Sequence, residues 1–361
     1  MDLSVLWFVI IAVLWTGYLV LEGFDFGVGM LLAILPRGMA AERADERRVM
    51  INTIGPVWDG NEVWLLTAGG ATFAAFPHWY ASLFSGFYLP LFIILLALIV
   101  RVVAFEYRGK IASPRWARRF DLLIMFGSWV PALLWGVAFA NLVRGVLLDE
   151  GYQYVGGFWA LLNPFALLGG LTTLVLFLLH GCLFLALKTK GELRQRARLA
   201  ASAVGAAAIV VAGGWAVWAQ VAFSVAWTWA AVAVAALALV VSWLANRRGA
   251  EGWAFGLSAL ALAAAVTLIF GSMFPYVMPA LHDGGVGLTI AAASSTSYTL
   301  GVMTVVAVIF TPVVIAYQAW AYRVFRRRLS VDILPAPTGL AWKKVREVLG
   351  GDPLVKPSDL G

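Results

Sequence analysis

The chain has 361 residues, of which 62% are hydrophobic and 12% are charged, and its formal net charge is +7. Soluble domains carry about 25% charged residues, so this composition excludes a soluble globular protein. The sequence predicts an integral membrane protein, whose basic residues mark one side of the membrane rather than a nucleic-acid partner.

Long apolar runs define the predicted elements. A helix that spans a membrane needs about 20 mostly apolar residues, and unbroken runs of that length favour helices over the alternating strands of a barrel. Nine such runs cover approximately residues 5–34, 50–74, 79–105, 121–146, 158–187, 199–221, 225–245, 253–275 and 296–323. The sixth and seventh runs are separated only by a few polar residues around 220–224. We predict an all-α integral membrane protein with about nine transmembrane helices arranged as bundles.

The basic residues predict the orientation of these helices. Apart from Arg144, every Lys and Arg lies near the end of an odd-numbered run or in the segment that follows it. The positive-inside rule assigns those segments to the cytoplasm, which leaves the N-terminus outside and the C-terminus inside. We predict one nine-span domain over residues 1–330. Residues 331–361 form a cytoplasmic tail that is expected to be mostly disordered, with a short helix around 340–349.

Four carboxylates lie within the first two runs: Glu22, Asp25, Asp59 and Glu62. Each pair is spaced i, i+3, so its two members share one helix face. An acid at the centre of a spanning helix costs roughly 2.5–3.5 kcal/mol. Such residues face the bundle interior by default and mark functional sites.

The depth of these acids favours a proton path. Counting 1.5 Å per residue from helix ends near residues 34 and 50 predicts Asp25 and Asp59 about 13–15 Å from the cytoplasmic edge. Two carboxylates at one depth on antiparallel neighbours indicate a proton path that opens to the cytoplasm, with Arg101 as the countercharge. The alternative is that the acids only hydrogen-bond helix ends and neighbouring helices, and the residues alone leave this open.

Residues that could hold a metal or cofactor are few. The sequence has three histidines, and we expect His78 and His282 in outward loops and only His180 in a span. No two of them have metal-ligand spacing within one helix, so we predict no metal site. His180 and the single cysteine, Cys182, are interpreted as packing residues.

Several motifs together resemble subunit II of cytochrome bd-type quinol oxidases. The most specific are GFDFGVGM at 23–30, PVWDGNEVWL at 56–65 and TAGGATFAAFP at 67–77. Further similarity lies in RGKI at 108–111, LNPF at 162–165, MFPYVMP at 273–279 and ASSTSYTL at 293–300. The resemblance extends over all nine predicted spans, up to about residue 330.

The resemblance implies a subunit of a terminal oxidase in the bacterial plasma membrane. That complex oxidises quinol, reduces O2 to water and forms a proton-motive force without pumping. Haems b558, b595 and d are implied for subunit I, which would form a heterodimer with this chain, and this chain would bind no haem. The resemblance also allows small accessory single-span subunits, contacts with membrane lipids and a quinone at the subunit interface, but no nucleic acid.

The resemblance also implies roles for individual residues. Asp25 and Asp59 correspond to acids associated with proton delivery, and Trp64 to a tryptophan near the oxygen route. Trp58 would contribute to a lipid or quinone niche. Glu62 occupies a position where glutamine also occurs, which weakens it as an essential proton carrier.

Glu22, for which relatives can have aspartate, and Arg101 are the weaker site candidates. Two alternatives to a proton-conducting oxidase subunit remain at this stage. One is a proton-coupled secondary transporter, although the inverted repeats and broken helices of that class are not evident. The other is a purely structural scaffold subunit.

Overall fold

The computed structural model describes residues 2–281, 287–334 and 339–341, and most of this part of the chain is helical. Its long helices are α1 (Leu3–Leu31), α3 (Trp58–Ala75), α5 (Tyr88–Tyr107), α6 (Pro114–Arg144), α8 (Pro164–Lys188), α9 (Gly191–Phe223), α10 (Trp229–Arg247), α11 (Glu251–Met273) and α13 (Ser297–Val324). Shorter helices are α2 (Ala40–Ile54), α4 (Pro77–Gly86), α7 (Gly157–Ala160) and α12 (Ile290–Ala293). Single 3-10 turns cover Ala226–Thr228 and Val331–Ile333.

Short strands form two small ladders outside the bundle. Strands β1 (Ile111–Ala112) and β4 (Leu340–Ala341) pair in parallel, and β2 (Tyr276–Met278) and β3 (Leu288–Thr289) pair antiparallel.

Within the described ranges, eight helices are long and apolar enough to cross a membrane: α1, α5, α6, α8, α9, α10 with its preceding 3-10 turn, α11 and α13. This confirms the predicted all-α membrane protein, with eight such helices in place of about nine. The exception is the predicted second span.

The predicted single span over 50–74 is wrong, because two helices occupy this segment. Helix α2 ends at Ile54, and α3 begins at Trp58. Pro56 lies between them and has no N–H for the helical hydrogen-bond ladder, so the chain turns here. Helix α3 has 18 residues, several of them polar, and runs antiparallel beside α1, since its Asn61 and Trp64 contact Leu21 and Gly17.

The doubtful split near residues 220–224 is a real break between α9 and α10. Gln220 closes the turn, because its Nε2 donates to the Val225 carbonyl at 2.8 Å and its Oε1 accepts from the Thr228 hydroxyl at 2.8 Å. The polar residues that interrupt the apolar pattern are therefore the ones that hold the turn together.

Helix α1 lies at the centre of the bundle, where it contacts α3, α6, α8, α11 and α13. It crosses α8 most closely at Gly27. A Cβ atom on Gly27 would lie 2.1 Å from the Phe177 carbonyl oxygen and 2.7 Å from the Gly181 Cα. Only glycine allows this approach, which fixes the face of α1 that carries the buried acids.

The segments that carry the basic residues meet at one end of the bundle. They are held there by ion pairs between Arg47 and Asp121, Arg196 and Glu46, Arg194 and Glu251, and Arg328 and Glu251. These pairs join α2, α6, α9, α11 and the chain after α13, as the alternation of charge requires. The side of the membrane that this end faces stays a prediction.

The chain after α13 folds back onto the bundle. The Leu329 N–H donates to the Lys188 carbonyl at 2.8 Å, and its own carbonyl accepts from the Lys190 N–H at 3.0 Å. Of the helix predicted around 340–349, Leu340 and Ala341 form strand β4 instead, and the remaining positions lie outside the described residues. Most of the predicted tail over 331–361 also lies outside them.

Candidate functional site

A buried ion pair joins α1 to α5. Glu22 and Arg101 contact each other directly, and both side chains are completely buried. The guanidinium lies between the rings of Phe26 and Phe105, at 4.7 and 5.0 Å from their centroids. Gly127 of α6 makes room for this arginine, because a Cβ atom there would lie 2.4 Å from the Arg101 Cβ. Arg101, predicted as a countercharge, thus neutralises Glu22.

Asp25 contacts an amide rather than a cation. The Asn61 Nδ2 donates to the Asp25 Oδ2 at 2.7 Å, and both side chains are buried. The Asn61 Oδ1 accepts from the Tyr322 hydroxyl at 2.7 Å and from the Gln318 Nε2 at 3.2 Å. A polar network therefore connects α1, α3 and α13.

Several polar atoms of this region are left over. Within the described part of the chain, the Glu22 Oε2, Asp25 Oδ1, Glu62 Oε2, and Arg101 Nε and Nη2 are buried and have no hydrogen-bond partner. Buried polar atoms are nearly always satisfied, and where protein does not satisfy them ordered water does. These acids and this arginine, from α1, α3 and α5, therefore keep hydrogen-bonding capacity that the described part of the protein does not fill, and a proton path through the region would use it.

Asp59 lies at the outer edge of this cluster, close enough to Glu62 for their charges to interact. It is exposed in the first turn of α3, whereas Asn61, two residues later, faces α1. Two residues correspond to about 200° around a helix and about 3 Å along its axis. Asp59 is therefore close to Asp25 along the helix axis but points to the outside of this chain. Glu62 is half-buried.

The two tryptophans of α3 have different environments. Trp58 is buried against Phe105, with ring centroids 5.2 Å apart. The Trp64 indole N–H donates to the Gln318 Oε1 at 2.9 Å, and its ring covers Gly17 of α1.

An apolar groove of about 470 Å³ lies between α3, α4 and α5. Its lining includes Leu66 and Phe73 of α3, Phe84 of α4, and Tyr88 and Leu95 of α5. Trp58 does not contribute to it.

His180, the histidine of a predicted span, is engaged by groups of this chain. The His180 Nδ1 and Nε2 lie 2.7 Å from the Ser258 hydroxyl and 3.1 Å from the Val20 carbonyl, and its ring stacks on Phe255. Both nitrogens are thus engaged within the chain. His78 is exposed at the start of α4, and His282 lies outside the described residues. In the ranges that are described, no three His, Cys, Asp or Glu side chains come together as a metal site.

The sequence did not predict the roles of Asn61, Gln318 and Tyr322, or that α13 takes part in this network. A signal existed, because Gln318 and Tyr322 are i, i+4 polar residues on one face of an apolar helix. Their partner on α3, however, could not be read from either helix alone.

The family model for cytochrome bd terminal oxidase subunit II matches residues 3–325 of the sequence. The chain belongs to this family. Cytochrome bd ubiquinol oxidase subunit 2 of Bacillus subtilis strain 168 is 42% identical over 335 residues, which cover 90% of this chain and 96% of the relative. Cytochrome bd-I ubiquinol oxidase subunit 2 of Escherichia coli K12 is 38% identical over 370 residues, with 92% and 96% covered.

A solved structure of bd oxidase from Geobacillus thermodenitrificans has the same fold. Its matching chain is 16% identical, with a TM-score of 0.66, and the match covers 90% of this chain and 99% of that one. At this identity the likeness supports the fold alone.

Family membership confirms a subunit of a quinol-oxidising terminal oxidase and a multi-pass protein of the bacterial plasma membrane. Haems belong to the complexes of this family, and a subunit 2 implies a subunit 1 as its partner. The transporter alternative is not supported by any of these matches.

Proposed function

We propose that this subunit conducts protons from the cytoplasm, through Asp25 and Asp59, toward a subunit I that reduces O2 to water. In this scheme quinol is oxidised near the outer side and releases its protons there. Protons used to form water enter from the cytoplasm, so a proton-motive force arises without pumping. The scheme relies on the predicted orientation, with the basic end of the bundle inside.

The observation that carries this proposal is the state of Asp25. It is fully buried, it has no ion-pair partner in the described part of the chain, and only one of its oxygens is hydrogen-bonded. Burying an unpaired carboxylate is costly, so a carboxyl kept between spanning helices is by default functional. Glu22, by contrast, has its charge balanced by Arg101.

The position of Asp59 supports an entry or transfer point at the subunit interface. Helix α3 exposes Asp59 together with the apolar residues Val63 and Leu66. Helix α13 beside it is also exposed along most of its length, including Phe310. We assign these two helices to the interface with subunit I, where Asp59 could pass a proton across.

The proposal also assigns the haems and the quinone to parts of the complex. Haems b558, b595 and d are assigned to subunit I, which is supported by the engagement of both His180 nitrogens within this chain. A quinone at the interface belongs to the same proposal. The apolar groove between α3, α4 and α5 is a better place for a quinone than the surroundings of Trp58, because Trp58 is buried against Phe105. Accessory single-span subunits remain an expectation from the family.

The proposal is tested with Asp59→Asn and Asp25→Asn in the purified two-subunit complex. We expect quinol-driven O2 consumption at neutral pH to fall on the order of 10²-fold, the lower end of what positioned proton-transfer groups contribute. Haem absorption spectra verify that each complex is assembled. Asp45→Asn is the matched control, because Asp45 is an exposed acid of α2 outside the cluster.

The scaffold alternative makes the opposite prediction. If both variants keep their haem spectra and the parental turnover, the proton path is wrong and this chain serves only to stabilise its partner. Loss of turnover in Asp45→Asn as well would indicate a general effect of charge at the cytoplasmic end.

A further inference from the structure

A directional chain of hydrogen bonds connects Trp64 to Asp25. The Trp64 Nε1 donates to the Gln318 Oε1 at 2.9 Å, and the Gln318 Nε2 donates to the Asn61 Oδ1 at 3.2 Å. The Asn61 Nδ2 then donates to the Asp25 Oδ2 at 2.7 Å. The chain passes from α3 to α13, back to α3 and on to α1.

The direction of this chain is set at Trp64. An amide side chain can present either its oxygen or its nitrogen, but an indole N–H can only donate. Gln318 must therefore turn its oxygen to Trp64 and its nitrogen to Asn61. Asn61 must in turn face Gln318 with its oxygen, which leaves its nitrogen for Asp25. The weaker bond from the Asn61 Nδ2 to the Leu21 carbonyl, at 3.4 Å, favours the same orientation.

The opposite orientation would change what Asp25 can do. With Asn61 turned over, its oxygen would accept a proton carried on the Asp25 Oδ2. The Tyr322 hydroxyl would tolerate this, because a hydroxyl both donates and accepts. Gln318 would not, because it would then have to turn its own N–H groups toward the Trp64 N–H.

We propose that Trp64, acting through Gln318 and Asn61, is a positioning residue that keeps a donor on the Asp25 Oδ2 and confines the exchangeable proton to Oδ1. The Asp25 Oδ1 is the carboxyl oxygen without a hydrogen-bond partner in the described residues, so it is the one left to carry the proton. This inference rests on the proposed proton-carrying function of Asp25. It gives Trp64 a role in proton transfer that is separate from the oxygen route implied by the family.

The test uses Trp64→Phe in the complete complex, which keeps an aromatic ring over Gly17 but removes the indole N–H. Redox-induced infrared difference spectra record the C=O stretch of the protonated Asp25 carboxyl, and Asp25→Asn identifies that band by its loss. When Asn61 is free to turn, the hydrogen bonding of this carbonyl changes. We expect a shift of the Asp25 band and a changed pH profile of turnover.

Gln318→Leu provides a second, independent break in the chain and is expected to shift the same band. It also covers the case in which Trp64→Phe does not assemble. Trp243→Phe is the control, because it removes another indole hydrogen bond, from α10 to the Ser202 carbonyl of α9 at 2.8 Å, which is not part of the chain to Asp25. The control should leave the band at its parental frequency.

Three outcomes are distinguishable. A shift in Trp64→Phe and Gln318→Leu, but not in Trp243→Phe, supports the inference. An unshifted band in both, in a complex whose turnover still depends on Asp25, overturns the role of Trp64 and leaves the proposed function intact. If the parental complex has no band that Asp25→Asn removes, and Asp25→Asn keeps the parental turnover, Asp25 does not carry a proton and both proposals are wrong.

Discussion

Glu22 and Arg101 form an ion pair between α1 and α5 in which neither side chain has any exposed surface. Arg101 therefore does not serve as a direct partner of Asp25 or Asp59, the residues for which the sequence suggested a countercharge. The pair also leaves three nitrogen and oxygen atoms of the two side chains without partners in the described ranges. Glu22 and Arg101 therefore neutralise each other's charge, but some of their polar atoms have no hydrogen-bond partner in the described part of the protein.

Removing one member of this pair should be more damaging than removing both. Breaking a buried ion pair from one side costs about 3–5 kcal/mol, because the remaining charge stays buried, whereas replacing both partners is often nearly neutral. We expect Arg101→Met to lower the yield and thermal stability of the complex strongly. Glu22→Gln combined with Arg101→Met should recover part of that loss.

The control for this series is Arg43→Met, which removes an exposed arginine of α2 and should change stability little. A double variant that is as unstable as Arg101→Met would show that the arginine acts through its packing between Phe26 and Phe105 rather than through its charge.

The close crossing of α1 and α8 makes a second prediction. In Gly27→Ala, the new methyl group would meet the Phe177 carbonyl at 2.1 Å, so the two backbones must separate. Overpacking of this kind costs about 1–3 kcal/mol, and we expect a lower melting temperature of the purified complex. Gly214→Ala on α9 is the matched control, because a Cβ atom at Gly214 meets nothing within 4 Å. Equal melting temperatures for the two variants would contradict the crossing.

The sequence predicted the elements of this fold better than their contacts. Apolar runs predicted the eight spanning helices, because whether a helix can enter a membrane depends on the apolar residues of that helix itself. The same criterion failed at residues 54–58, where Pro56 breaks a run that still looks apolar. It therefore joined the end of α2 to α3 as one span. The polar contacts of α3 with α1 and α13 were not predicted either.

The site was predicted in part for the same reason. Intramembrane acids are costly wherever they occur, so Glu22, Asp25 and Glu62 could be identified from the chain alone. The network around Asp25 could not, because its partner Asn61 is 36 residues away and Gln318 is a further 257 residues from Asn61. Only the rotation of each helix about its axis decides which polar residues meet, and that depends on crossings such as Gly27 with Gly181.

Glu62 should tolerate replacement better than Asp25. It is half-buried and lacks a protein partner for its Oε2 among the described residues, and a glutamine oxygen can accept the same hydrogen bonds from water. We expect Glu62→Gln to retain turnover within a factor of about two, because the amide keeps a hydrogen-bond acceptor at this position. A loss as large as that in Asp25→Asn would make Glu62 a proton carrier and contradict this expectation.

The last prediction concerns Glu251, which fastens the chain after α13 to the bundle. Its two oxygens accept from the Arg194 Nε and from the Arg328 Nη2, each at 2.6 Å. Hydrogen bonds to charged groups contribute about 1.5–3 kcal/mol, and the partial exposure of both arginines favours the lower end. Because about 1.4 kcal/mol corresponds to a tenfold change in population, Glu251→Ala should open the segment around Arg328 about tenfold more often.

Trypsin measures this opening, because cleavage after Arg326, Arg327 or Arg328 follows the population of the open form when opening is fast. Inside-out membrane vesicles should show about tenfold faster cleavage in Glu251→Ala, in proportion to the open population. Glu192→Ala, an exposed acid of α9, is the control. Right-side-out vesicles should resist trypsin at these sites in every variant, and cleavage there would place the basic end of the bundle outside and reverse the proposed direction of proton entry.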